Sequence, residues 1–166
     1  TQNKNNTAQK KTPPPVTQIR KDTAVAIQPI DKKPVLSDTS VKKKLPPVPA
    51  IMRTRSNPLI KTIITNSPDI KVELYDNGDI DGDTITVYHN NEVIAWKKGL
   101  SAKPITINVK ASTADPEHEF VMVADNLGSI PPNTALMVIT SGGKRYEVYI
   151  SSDNKKNAKV AVEYKP

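Results

Sequence analysis

Asp76, Asp79, Asp81 and Asp83 fall within eight consecutive positions of the stretch Tyr75–Val87, YDNGDIDGDTITV, which also holds Gly78 and Gly82. Carboxylates this close repel one another unless water, a cation or hydrogen-bond donors intervene. The chemistry on offer is hard-cation binding, because Ca²⁺ takes about six to eight oxygens from carboxylates and carbonyls on a flexible loop. Asn77, Asp79, Asp81 and Gly82 match the opening D-x-[DN]-x-[DN]-G of an EF-hand loop, with Asn in first place. The acid that should close such a loop is replaced by Tyr88, and strand-like residues flank it instead of helices. An EF-hand is therefore excluded. What remains is a β-sandwich loop taking Ca²⁺ through Asp76, Asp79, Asp81 and Asp83, or a solvated turn whose aspartates accept backbone amides.

Other residue types offer less. His89 and His118 are read as surface histidines, one at a strand end and one in a loop between Glu117 and Glu119. A transition-metal site would need a further ligand from elsewhere. No cysteine is present, which rules out disulfides and thiolate zinc sites. No G-x-S-x-G occurs, and nothing places two carboxylates across a cleft as a glycosidase requires. Trp96, Tyr88 and Tyr146, with Tyr149, are the aromatics that could present a small binding platform. An aromatic content of 4% argues against an extended sugar-stacking groove, and packing in the core or on a sheet face is the simpler use, above all for Trp96. Gly142-Gly143-Lys144-Arg145 has the composition of a phosphate loop but joins two strand-like runs, so a hairpin is the better reading.

The elements that must position these residues read as strands. Ile70, Val72 and Leu74 alternate with Lys71 and Glu73, the pattern of a strand with one wet face. Thr84–His89 alternates in the same way, and His89-Asn90-Asn91-Glu92 is a tight turn into Glu92–Lys97. Ile105–Val109 follows. Phe120–Ala124 is apolar throughout, so it is central and covered on both faces. Thr134–Thr140 and Lys144–Ile150 form a hairpin across Ser141-Gly142-Gly143, and Val160–Tyr164 closes the set. A further first strand lies near Ile60–Thr65, after a hinge at 51–67. No convincing helix interrupts them. About eight strands at short spacing predict an all-β, antiparallel β-sandwich of immunoglobulin-like size, without the Cys…Trp…Cys signature of true immunoglobulin domains.

Charge divides the chain of 166 residues in two. Residues 1–60 hold 12 Lys+Arg against 3 Asp+Glu, a local balance of +9, and nine of the fifteen prolines, whereas residues 61–166 hold 12 against 14. Residues 1–58 are therefore expected to be a disordered, Pro/Lys-rich basic tether, and 59–166 the β-sandwich domain. Lys43–Pro49 fits the basic-x-x-P-x-x-P pattern read by Src-homology-three domains, though so much Pro and Lys produces chance matches. The tether should attract polyanions weakly and in a salt-sensitive way. The folded part has no basic stripe, so no specific nucleic-acid partner is expected. No apolar run of about 18 residues occurs, so no membrane span is expected. The chain begins at Thr1 without a leader pattern, which fits a signal or lipoprotein leader removed ahead of it.

Three blocks in order, YDNGDIDGDTITVYHN, VADNLGSIPPNTALMVI and KRYEVYISSDNKKNA, resemble a domain repeated at the C-terminal end of secreted and cell-surface proteins of Bacteroidota, over about residues 60–164. The resemblance implies an exported, non-catalytic β-domain, secreted or held in the periplasm or at the cell surface, and carries no catalytic residue with it. The tail is similar in composition to the periplasm-crossing spacer of TonB proteins. In the second block Pro131-Pro132 is expected to stiffen a crossover between sheets, and in the third Asp153-Asn154 to turn the chain back to a sheet edge. The expected role is binding or structural, toward a protein or glycan of the cell envelope. A calcium-dependent carbohydrate-binding or adhesin module is the alternative, and an envelope hydrolase a weaker one.

Overall fold

The computed structural model describes residues 44–166; the tether expected over residues 1–43 lies outside the described residues. A short helix, α1 (Ala50–Thr54), precedes β1 (Leu59–Thr65), β2 (Asp69–Asp76), β3 (Thr84–His89), β4 (Glu92–Gly99), β5 (Ile105–Lys110), β6 (Glu117–Asn126), β7 (Asn133–Ser141), β8 (Lys144–Ser152) and β9 (Ala158–Tyr164). The strands form a five-stranded sheet in the order β1-β9-β6-β3-β4 and a four-stranded sheet in the order β5-β2-β7-β8. The sandwich expected from the spacing is thus present, with β1 as its additional strand. Every pairing is antiparallel except one: β1 runs parallel to β9.

The period-two pattern does the work of folding. Ile70, Val72 and Leu74 of β2 are all buried, as are Ile85 and Val87 of β3 and Val160 and Val162 of β9. They meet Phe120 and Met122 of β6 and Met137 and Ile139 of β7 in one inter-sheet core. Fully burying a side chain of this size stabilises by about 1.5–3 kcal/mol. The two tight hairpins take the backbone form that matches strand twist: φ is 48° and 70° at Asn90 and Asn91, and 58° and 73° at Gly142 and Gly143.

Phe120–Ala124 is wholly buried and β6 lies at the centre of its sheet, as its unbroken apolar run predicted. Its outer face is covered by an element the sequence pattern did not reveal. Met52 of α1 is buried against Val121 and Val123, with Ile51 and Tyr88 around them. Arg55 Nη1 donates to the Ala124 carbonyl at 2.9 Å, and Asn157 Nδ2 donates to Asn57 Oδ1 at 2.9 Å. The expected domain boundary at residue 58 therefore falls inside a packed segment. Ahead of α1, Pro46 and Pro49 are half-buried while Leu45, Pro47 and Val48 are exposed. The Pro46 carbonyl accepts from Asn91 Nδ2 at 3.0 Å. In a threefold polyproline helix the two prolines that a Src-homology-three domain must grip share one edge. Here that edge is turned toward the chain's own sandwich.

Two further expectations change. His118 is no surface histidine: it is 1% exposed, inside β6, where Glu117 and Glu119 point outward on either side. Its Nδ1 meets His89 Nε2 at 2.9 Å, and the His89 ring stacks on Phe120 with centroids 5.0 Å apart. Asp153 Oδ1 does accept the Lys155 and Lys156 amides, but the turn it begins leads into β9, between β1 and β6 rather than at an edge.

Candidate functional site

The acidic stretch joins β2 of the four-stranded sheet to β3 of the five-stranded sheet, so it is a crossover between the two layers and not a doubling-back hairpin. Of its glycines only Gly82, at φ 92°, needs a positive φ. A second crossover, 127–132, carries the chain from β6 to β7. It contains Pro131-Pro132, as expected for a stiffened connection between sheets. The two crossovers are tied together. Asp81 Oδ2 accepts the Ser129 amide at 2.7 Å and the Ile130 amide at 2.5 Å. Asn126 Oδ1 accepts from the Thr84 amide at 3.0 Å, and Asn133 Nδ2 donates to the Asn126 carbonyl at 2.6 Å. The β4–β5 connection holds both ends of the acidic stretch, with Leu100 N donating to the Asp83 carbonyl and Asp76 N to the Ser101 carbonyl.

The four aspartates do not share one environment. Asp79 is exposed. Asp76 turns Oδ1 to the Gly78 amide at 2.9 Å, the local cap expected of a solvated turn. Asp83 is 5% exposed. Asp76 Oδ2, Asp81 Oδ1 and Asp83 Oδ1 are buried and accept no hydrogen bond. A Cβ on Gly128 would stand 2.5 Å from both Asp81 Cγ and Asp83 Oδ1. Both carboxyl groups thus crowd the bare Cα of that glycine, and only glycine leaves them room at φ 56°. Among the described residues no three His, Cys, Asp or Glu side chains already stand gathered as a metal-holding group.

The charges register this arrangement. Burial pushes the Asp83 carboxyl up to about 6, and the negative charges of Asp81 and Asp76 act the same way. For Asp81 desolvation also acts upward, but the Ile130 and Ser129 amides outweigh it and hold the carboxyl below its ordinary value. The pair therefore has one partner stabilised as an anion and one that resists becoming an anion.

The aromatic candidates are dispersed. Trp96 is 66% exposed, so it does not anchor the core. Ala95 beside it points inward, which leaves Trp96 on the outer face of β4, an edge strand. Lys97 takes φ 46° there, its amide donates to Thr86 Oγ1 at 3.1 Å, and its Nζ stands 5.2 Å from the indole centroid. Tyr88, on neighbouring β3, is half-buried against the Met52 cluster. Tyr146 belongs to β8 in the other sheet, where it lines a groove with Ile64, Ser141 and Lys165. Trp96, Tyr88 and Tyr146 therefore do not make one platform.

Sequence reasoning missed Gly128, Ser129, Ile130 and Asn126 as partners of the acidic stretch. The signal was faint: an Asn-x-Gly-Ser run ahead of Pro131 marks a loop, but nothing in it says which loop it faces. That depends on the pairing of β3 with β6, which sets Thr84 opposite Asn126. Compared with known proteins, the chain matches no family model, no curated protein and no solved structure.

Proposed function

We propose that this chain is a non-enzymatic, exported β-sandwich module with a binding or structural role at the cell envelope. The observation that carries the reading is Trp96. Tryptophan is the largest apolar side chain, and this one is left 66% in water on an edge strand beside Val93, which is 49% exposed. Such a residue gains most when a partner covers it. The positive φ at Lys97 twists the edge, which discourages indiscriminate strand pairing and favours recognition through the indole face. The flanking Lys97 and Lys98 suit a partner carrying hydroxyl or anionic groups, such as an envelope glycan or protein. The similarity to exported Bacteroidota domains supports the location. The basic segment 1–60 would add a weak, salt-sensitive attraction to polyanions. Among the described residues no helix is long and apolar enough to cross a membrane.

Trp96 is the sole tryptophan, so its fluorescence reports on this face alone. Titration with purified envelope polysaccharide should shift its emission to shorter wavelength, and Trp96→Ala should abolish binding without changing the melting temperature. Unchanged emission, or binding that survives in Trp96→Ala, would reject the reading. Turnover of the polymer would establish the hydrolase instead. A second reading, a calcium-dependent adhesin, is favoured by the carboxylate group at the crossover end.

A further inference from the structure

The acidic crossover has a feature that a solvated turn does not explain. Asp83 is 5% exposed and its Oδ1 has no donor. It is directed at Asp81 Oδ1, likewise buried and without a donor, across the bare Cα of Gly128. Donors do reach this region: the Ser129 and Ile130 amides both go to the other oxygen of Asp81, and the Gly78 amide goes to the other oxygen of Asp76. What is left, Asp76 Oδ2, Asp81 Oδ1 and Asp83 Oδ1, is a set of hard anionic oxygens withheld from the backbone. Unpartnered buried carboxylate oxygens of like charge are costly. A cation is the species that removes both the desolvation and the repulsion at once.

We propose that Asp76, Asp81 and Asp83 bind one Ca²⁺, and that the ion staples the β2–β3 crossover to the β6–β7 crossover beneath Gly128. Asp79, exposed and apart, is not among its ligands. The preference for calcium follows from the unfinished state of the site. The three side chains are not already gathered, so the ion must draw them in and complete its shell with water. Ca²⁺ tolerates such irregular coordination, whereas Mg²⁺ demands a near-octahedral shell at about 2.0–2.1 Å and gives up water reluctantly. Asp81 is the pivot. Its Oδ2 is fixed by the far crossover while its Oδ1 faces Asp83, so an ion held there links residues about 50 positions apart in sequence. This inference deepens the adhesin reading by supplying its metal, but it rests on the carboxylates and not on any ligand of Trp96.

The test is a thermal melt of the full chain at constant ionic strength and neutral pH, in chelator, in about 5 mM Ca²⁺ and in about 5 mM Mg²⁺, a range suited to extracellular calcium modules. Calcium titration calorimetry supplies the stoichiometry. Calcium should raise the wild-type midpoint by roughly 3 °C or more, with magnesium giving less than half of that. Asp83→Asn should lose the shift, and in chelator it should melt at or above wild type, because one of two apposed charges is gone. Asp76→Asn, on a half-exposed side chain, keeps the test valid if Asp83→Asn does not fold, and should weaken the shift. Equal melts in all three conditions, a shift that magnesium reproduces, or a shift that survives in both variants would overturn the site. Trp96 emission on polysaccharide is followed in the same buffers. Binding that persists in chelator sinks only the calcium-dependent adhesin, and absent binding with the calcium shift intact sinks only the Trp96 reading.

Discussion

At the scale of single residues, Asp83 makes the crossover end sensitive to pH. Its carboxyl is pushed up to about 6 by burial and by the charges of Asp81 and Asp76, whereas an unfolded aspartate titrates near about 3.9. Between these values the folded chain holds the proton more tightly than the unfolded chain. The stabilisation from this group is thus fully present below about pH 4 and is lost as pH rises through about 6. In chelator, the unfolding free energy of wild type should fall relative to Asp83→Asn by about 2 kcal/mol between pH 4 and pH 7. Urea titrations of both proteins at the two values check it, and a constant difference would show that Asp83 ionises normally. The four aspartates were easy to see in the sequence, but their division was not. A run of acids does not say which carboxyl is walled in, because the wall here is Gly128, which belongs to another crossover.

At the scale of elements, period two was a good guide wherever a strand had one wet face, as in β2 and β9. It also held where it was not followed far enough: Glu117-His118-Glu119-Phe120 alternates exposed and buried, and continuing the pattern back from Phe120 would have placed His118 inside. Helix α1 escaped for a different reason. Ala50–Thr54 is five residues, less than two turns, too short to show a helical period. Nor does a side chain cap its start at Pro49. Its stability is therefore tertiary, supplied by Met52 on Val121 and Val123. Met52→Ala should cost about 2 kcal/mol, the lower end for a buried methionine, since this small cluster can partly collapse. It should also speed amide exchange across the outer face of β6. A cost below about 0.5 kcal/mol, the range of ordinary surface changes, would mean that α1 is a passive cover. Trp96 shows the converse limit. Its type suggested an anchor, yet the strand that bears it is an edge whose outer face has nothing above it in the described residues.

At the scale of the whole molecule, the class of fold was legible and its wiring was not. Alternation gives the faces of each strand but not the sheet to which a strand belongs. The acidic stretch looked like a hairpin turn because both its flanks are strands, and only the topology separates β2 and β3 into different layers. The one parallel pair was equally hidden, since β1 and β9 lie at opposite ends of the described chain and nothing local links them. That pair has a mechanical consequence. Leu59 lies beside Lys159 and Thr65 beside Tyr164, so a pull applied ahead of β1 and beyond β9 slides the two strands past each other along their length. Their rungs then carry the load together, whereas a pull across the β7–β8 hairpin would open its rungs one after another. Single-molecule stretching from the two ends should therefore meet a high rupture force, set by the unfolding barrier rather than by equilibrium stability. Stretching through handles at Asn133 and Ser152, which face each other at the open end of that hairpin, should meet a much lower one. Similar forces in both directions would contradict it. A module wired in this way is suited to transmit tension from whatever holds one end of it to whatever grips the other.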